Sequence, residues 1–281
     1  MSLSSLGLDA FFEVARCGHF SQAAKALNVT QSALSQRIKN LETDLGTALF
    51  IRDKAGARLT ESGEKLLRYC RLRESMEAQV LHDVAQAKPG DSLVGSLRIA
   101  GFSTILRSVV MPSLTELVEE NPGVSLELLS RELRDIPALL RTGACDLAFT
   151  DDEVSIPGVK SVRVGYEENV LIEPINGRSE GYLDHDSLDR TTMKFLKSQG
   201  QEISGRRLYL DEIYGILDGV ELGWGRAVVP KHLLDGRTGI RMVAGMKPLR
   251  TPVYLSYFDS PLMPQLLKLA VDVLKKCWPK T

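Results

Sequence analysis

No apolar run in this chain is long enough to cross a bilayer. Its opening stretch, MSLSSLGLDAFFEVARCGHF, has no basic segment leading into an apolar core and a small-residue cleavage site. The sequence therefore predicts neither a membrane span nor a secretory signal, and a cytoplasmic location is expected. Cys17, Cys70, Cys145 and Cys277 are widely scattered and form no CxxC pair, which suits a reducing compartment. His19, His82, His185 and His232 show no ligand spacing with one another or with cysteine, so no metal and no cofactor is expected. Net charge is only −1, and any nucleic-acid surface must come from local clustering. Signals for catalysis are also thin. Gly101-Phe102-Ser103-Thr104-Ile105 lacks the second glycine of a nucleophile elbow, and no histidine or acid is placed to complete a triad. Gly223-Trp224-Gly225 follows a helix and precedes a strand, the wrong setting for a dinucleotide loop. No repeats or low-complexity segments occur.

What is present, at 281 residues with 43% hydrophobic and 25% charged residues, is a chain long enough for two or more globular domains. Its most informative stretch is TQSALSQRIKNLETDL, residues 30–45. Thr30 suits an N-cap, and Ala33, Leu34, Ile38, Leu41 and Leu45 recur at threes and fours as one buried stripe. Between them lie Gln31, Ser32, Ser35, Gln36, Arg37, Lys39 and Asn40, with acids only in the last turns. Gln and Arg can bond base edges bidentately, and Ser and Lys can fix phosphates. An ordinary solvated amphipathic helix is the competing explanation for this face. Upstream, a helix carrying Leu6, Leu8, Phe11, Phe12, Val14 and Ala15 is expected to end at Gly18, and Ser21 to cap a short helix Gln22–Leu27. Asn28 and Val29 make the turn. Helix, short helix, turn and polar-faced helix is the helix-turn-helix plan. Downstream, Leu49, Phe50 and Ile51 are answered by Leu59, a two-stranded wing with Gly56 at its tip and Arg52, Lys54 and Arg58 along it.

The run from Phe11 to Leu67 resembles the winged helix-turn-helix of LysR-type transcriptional regulators. The matching elements are Ala23-Ala24, Gln31-Ser32-Ala33-Leu34-Ser35, Leu41-Glu42, Leu45-Gly46, Leu49-Phe50 with Arg52, and Leu59-Thr60 with Gly63. The resemblance implies that Gln31, Ser32, Ser35, Gln36 and Arg37 face double-stranded DNA, with Arg52, Lys54 and Arg58 beside them. Ser21, Thr30 and Lys39 complete the candidate DNA-contacting set.

Thr60 is expected to cap a long helix running to about Ala87 and stopped by Pro89-Gly90. Its stripe of Leu66, Tyr69, Leu72, Met76, Val80 and Val84 suits a two-helix seam. The family resemblance implies that this linker pairs subunits, giving a homodimer or homotetramer. From Gly95 strands and helices alternate, which predicts a parallel α/β sheet. SLRIA, VSLELL, DLAFT, NVLIEP, RRLYL, RAVVP, IRMV and PVYLSYF read as strands. Ile105–Glu120, interrupted near Pro112, then 136–144, 188–200, 211–223 and 263–277 read as helices. The stretches GSLRIAGFST, MPSLTELVEENPGVSLELL, LLRTGACDLAFTDD and VELGWGRAVVPKHLL resemble the LysR-type effector domain. They imply a periplasmic-binding-protein-like fold of two lobes, with a small-molecule effector in the cleft between them.

The expected architecture is thus α + α/β: a winged helix-turn-helix over 1–59, a linker helix and hinge over 60–90, and an effector domain over 91–281. Its first lobe takes about 95–161 and 258–281, and its second 162–257. Ligands in open sheets sit beyond the carboxyl ends of strands. That singles out Phe102, Ser103, Thr104, Ser130, Thr150 and Asp151, with Asp211 and Glu212 from the second lobe. Ser103 and Thr104, opening a helix, offer a carboxylate seat or a plain cap. Asp151, Asp152, Asp211 and Glu212 are either N-terminal caps or the holders of a cationic group, which would make the effector an amine or amino acid. The function expected is a DNA-binding transcriptional regulator without catalytic activity, and RNA polymerase is a further candidate partner. The alternatives are a small-molecule-binding protein whose N-terminal helices only dimerise it, and a hydrolase using Ser103.

Overall fold

The computed structural model describes residues 3–53, 56–85, 93–176 and 180–278. The N-terminal unit holds α1 (Ser5–Cys17), α2 (Phe20–Ala26) and α3 (Gln31–Leu45), then the hairpin β1 (Phe50–Asp53) and β2 (Gly56–Leu59). Gly18 ends α1 in the left-handed conformation at φ 70°, as its position suggests. Asn28 is also left-handed, at φ 53°, a conformation asparagine tolerates better than most residues, and it turns the chain from α2 into α3. Phe11, Val14, Ala23, Leu34, Ile38 and Leu41 form the core where the three helices meet. Ala33 and Leu45, expected in that stripe, are exposed, because the stripe is only wide enough for the residues nearest Leu34, Ile38 and Leu41. Ser21 is no cap: α2 begins at Phe20, two residues before the expected start, after His19, which makes no side-chain capping bond.

Helix α4 (Glu61–Ala85) follows. Thr60 caps it, its hydroxyl accepting from Gly63 N–H at 3.0 Å. The expected end near Ala87 and the Pro89-Gly90 stop lie outside the described residues. Leu66 is buried and Leu72 half-buried, but Tyr69, Met76, Val80, Leu81 and Val84 are exposed. The apolar stripe therefore divides into a covered start and an uncovered end.

The C-terminal unit runs β3 (Val94–Gly101), α5 (Ser103–Ile105), a π-helical turn Leu106–Val110, α6 (Met111–Glu120), β4 (Gly123–Ser130), α7 (Ile136–Arg141) and β5 (Leu147–Thr150). It continues with β6 (Val159–Pro174), β7 (Tyr182–Asp184), α8 (Thr191–Ser198), β8 (Arg207–Tyr209), α9 (Ile213–Glu221) and β9 (Arg226–Pro230). A 3-10 turn Lys231–Leu234, β10 (Ile240–Met242), β11 (Leu249–Phe258) and α10 (Gln265–Leu274) close it. The strands lie in the order β4-β3-β5-β11-β6-β9-β7-β8, with β10 also on β6. Pairs β3–β4, β3–β5, β7–β8 and β7–β9 are parallel, whereas β5–β11, β11–β6, β6–β9 and β6–β10 are antiparallel. The expected parallel pairing is thus found within each lobe, while the sheet as a whole is mixed. Strands β6 and β11 run as a long antiparallel pair between two parallel lobes, and such a ribbon reverses the direction of the sheet.

Each lobe has a core on both faces. In the first, Ile99, Phe149 and Leu255 pack with α6 and α10 on one side, and Ala148 packs with Ile136 and Leu140 of α7 on the other. In the second, Ile172, Leu217 and Val229 make one core, and Leu171, Phe195 and Val228 the other. The helix expected to break near Pro112 instead widens one turn earlier, into the π-helical segment. Proline has no N–H to donate to the preceding turn, and the wider turn accommodates that loss. Among the described residues no helix is long and apolar enough to cross a membrane.

Candidate functional site

Two surfaces carry the candidate residues. The first is the outer face of α3. With Leu34, Ile38 and Leu41 turned inward, a helix advancing about 100° per residue places Ser32, Gln36 and Lys39 on the opposite side. All three are exposed. Gln31 is exposed and Ser35 half-buried on one flank; Arg37, half-buried, lies on the other. Thr30 accepts from Ala33 N–H at 3.2 Å and lies 3.0 Å from the Ser32 hydroxyl. Gln36 donates to Asn40 Oδ1 at 2.7 Å, so its amide is held along the helix. Ser21 is exposed in the first turn of α2, where backbone N–H groups lack intrahelical acceptors.

The wing is tied to this helix. The Glu42 carboxylate accepts from Leu49 N–H at 2.8 Å, which fixes the start of the hairpin against α3. Gly56 is not the tip: it opens β2 opposite Asp53, at φ 132°, with the carbonyl of Gly18 only 2.6 Å from where a Cβ would stand. Ala57 N–H donates to that same carbonyl at 2.8 Å. Ile51 points outward while Phe50 pairs with Leu59. Arg58 is exposed on β2. Arg52 is placed by its backbone in β1, but its side chain and all of Lys54 lie outside the described residues.

The second surface is the cleft between the lobes. Thr104 is buried and donates to Glu167 Oε1 at 3.0 Å. Glu167 sits on β6, the ribbon between lobes, and His232 Nε2 from the second lobe stands 3.9 Å from the same oxygen. Burial pushes the Glu167 carboxyl up to about 7; the Thr104 hydrogen bond opposes this and Asp151 adds to it. Burial also pulls the His232 imidazole below its ordinary value, with Asp235 opposing. His232 Nε2 and the Tyr214 hydroxyl are buried without a hydrogen-bond partner among the described residues. Across the same gap the Arg107 guanidinium of the first lobe covers the Tyr214 ring at 4.3 Å. At the rim, His185 Nε2 lies 3.8 Å from Glu132 of the first lobe and 3.7 Å from Asp211 of the second. Glu132, His185 and Asp186 bring their ligating atoms within 4.8 Å of one another, a proximity that their spacing in the sequence does not betray.

The expected cleft residues divide. Thr104 and half-buried Asp151 stand beside Glu167, and Asp211 reaches the rim. Glu212 is spent as the N-cap of α9, accepting from Gly215 N–H at 2.8 Å, so its carboxylate serves the helix and not the cleft. Thr150 turns back on its own loop, donating to the Asp152 carbonyl at 2.7 Å. Asp152 is exposed and accepts from Glu153 N–H. Phe102 and Ser103 are half-buried, and Ser130 is exposed at the end of β4. Glu167, His232, Arg107 and Tyr214 were not legible as site residues. The one local hint was two adjacent acids, Glu167 and Glu168, inside a strand-forming run.

Comparison with known proteins finds a match for the N-terminal unit and for the first part of the C-terminal unit. Residues 7–64 match the family model described as bacterial regulatory helix-turn-helix protein, lysR family, and residues 90–176 match the LysR substrate binding domain. The HTH-type transcriptional activator IlvY of Salmonella typhimurium is 30% identical over 247 residues, 81% of this chain and 82% of that protein. The HTH-type transcriptional regulator IlvY of Escherichia coli is 31% identical over the same shares. Among solved structures, ArgP from Mycobacterium tuberculosis superposes with a TM-score of 0.77 at 22% identity, covering 98% of this chain and 97% of that one. Full-length LysG from Corynebacterium glutamicum with bound effector Arg superposes at 0.75 with the same identity and coverage. The chain belongs to the LysR family of transcriptional regulators: a DNA-binding protein, not an enzyme, whose C-terminal domain binds a small-molecule effector.

Proposed function

We propose that α3 enters the major groove with Gln31, Ser32, Ser35, Gln36 and Arg37 toward the bases and Thr30 and Lys39 at the phosphates. Ser21, at the start of α2, meets the backbone of the same duplex, and Arg52, Lys54 and Arg58 of the wing lie beside it. The observation that carries this reading is the separation of faces on α3: Leu34, Ile38 and Leu41 are fully enclosed while Ser32, Gln36 and Lys39 stand opposite them in solvent. The uncovered end of the α4 stripe, from Met76 to Val84, supports pairing of two copies through that helix. Such a pair presents two reading heads at a fixed separation, suited to a two-fold site in promoter DNA. The protein acts in the cytoplasm, where it meets promoter DNA and RNA polymerase.

The cleft is the effector site. Thr104, Asp151, Glu167 and His232 offer it acceptors, and Tyr214 a hydroxyl without a partner among the described residues. An excess of acceptors favours an effector with an amino or guanidino group, which Glu167 holds and Asp151 and Asp211 support. A ligand held this way spans both lobes and changes their closure, and α4 passes the change to the DNA heads. Isothermal titration against a panel of charged metabolites tests the cleft, with Glu167→Gln, Asp151→Asn and Asp211→Asn as variants. Binding of a cationic metabolite that weakens in Glu167→Gln supports the assignment. Tight binding of a purely anionic effector, unchanged in all three variants, refutes it.

A further inference from the structure

A cavity lies away from the lobe cleft, where α4 rests on the first lobe. It encloses about 330 Å³ between α4, the start of β3, the end of β11 and the beginning of α10. That is the low end of the range for small-molecule sites. Leu72, Phe258, Met263, Leu266 and Leu267 give it an apolar wall. Gly95 lets β3 come close beneath α4: a Cβ there would stand 3.5 Å from the Ser75 hydroxyl.

Arg71 is on this wall, with Asp146 and Glu74 as its acidic neighbours. Arg71 Nη1 is shut off from solvent and has no hydrogen-bond partner among the described residues. The neighbouring charges are already engaged or stand off. Asp146 spends both oxygens on Arg98, accepting from Nη2 at 2.9 Å and Nε at 3.3 Å, and from the Arg98 N–H at 2.8 Å. Arg68 donates to the Arg141 carbonyl and lies over the Phe258 ring at 4.3 Å. Glu74 is exposed and makes no hydrogen bond to Nη1. Burial accordingly pulls the Arg71 guanidinium down to about 10, and the charge on Arg98 adds to the pull. A half-buried guanidinium beside apolar walls suits a planar anion with an apolar body, because carboxylate matches the two-pronged donor geometry of arginine.

We propose that this cavity is a second ligand site, separate from the lobe cleft, which takes a small organic carboxylate whose charged end meets Arg71 and whose apolar end packs on Phe258 and Leu266. The site has one wall on α4 and the other on the first lobe. The same helix is tied to that lobe outside the cavity by Glu64, which holds Arg141 at 2.8 Å. A ligand between them therefore bears on how the DNA-reading unit sits on the effector domain. That regulatory consequence rests on the DNA reading above; the binding itself does not.

Isothermal titration of the full-length protein with benzoate tests the proposal, with benzamide as a neutral probe of the same shape and no DNA present. Benzoate is expected to bind, and benzamide to bind at least about tenfold more weakly, the ratio that a lost charge-assisted hydrogen bond gives. Arg71→Gln should lose about the same factor, and Ser75→Leu, which fills the cavity from α4 without altering its charge, should abolish binding. Glu167→Gln, in the other site, should leave it unchanged. The proposal is overturned if folded wild-type protein takes up no benzoate, or if benzamide binds equally well. It is also overturned if Ser75→Leu retains full affinity, or if binding responds to Glu167→Gln instead.

Discussion

The Thr104 hydroxyl donates to Glu167 across 3.0 Å, and so joins the helix that opens the first lobe to the strand that leads into the second. The same Glu167 oxygen stands 3.9 Å from Nε2 of His232, which the second lobe supplies. One buried carboxyl thus touches both halves of the effector domain.

A pH-dependent stability follows from that position. Glu167 titrates at about 7 in the folded protein, above its ordinary 4.5, so the folded state holds the proton more tightly than the unfolded chain. Its contribution is therefore intact below about pH 4.5 and is lost as pH rises toward 7, by a total on the order of 3 kcal/mol. Glu167→Gln removes this dependence. Thermal unfolding of both proteins between about pH 5 and 8 should show the wild type losing ground to the variant as pH rises. Parallel curves would mean that Glu167 is not protonated on folding.

Base reading and phosphate contact separate by mutation. Arg37→Ala should cost about 1–3 kcal/mol of DNA affinity and relax the choice of base at one position. Arg58→Ala should instead weaken binding to every sequence and flatten the salt dependence by about one unit. A mobility-shift titration at several salt concentrations distinguishes them. If neither change alters binding, α3 and the wing do not form the DNA surface.

The helix-turn-helix was legible because its instructions are local. Thr30 and Thr60 cap the helices that they precede, Gly18 ends the one before it, and the wing strands pair across a turn. The cleft was not legible, because its central residue depends on distance in the chain. Glu167 stands in a strand among Tyr166, Glu168 and Asn169, where acids read as solvated, and only folding brings Thr104 from 63 residues away to cover it. Ser21, expected as a cap, and Glu212, expected as a cap or a cleft residue, show how a local signal stays ambiguous. Serine and glutamate near a helix start carry two explanations, and the backbone decides: Ser21 falls inside the first turn and Glu212 on the cap.

Gly56 tests how the wing is held. Alanine there must adopt a left-handed φ of 132° and meet the Gly18 carbonyl at 2.6 Å. Gly56→Ala should lower stability by about 1–3 kcal/mol in denaturant unfolding, with weaker DNA binding as the hairpin shifts. Unchanged stability would show that the wing is not anchored to the α1–α2 turn.

The uncovered end of α4 makes a prediction about assembly. Val80 and Val84 are 58% and 80% exposed on a helix whose earlier residues are packed. Val80→Asp should leave the fold intact by circular dichroism and reduce the sedimenting mass. A variant that sediments like the wild type would place the subunit contact elsewhere.

Fluorescence anisotropy of the protein with the duplex from upstream of its own gene tests the regulator most directly, at low and moderate salt, with and without a cationic metabolite that the titration identifies. Expected is binding tighter than to a scrambled duplex, falling steeply with salt and shifted by the metabolite in the wild type but not in Glu167→Gln. Equal affinity for both duplexes at low salt, with no response to any metabolite, would contradict it.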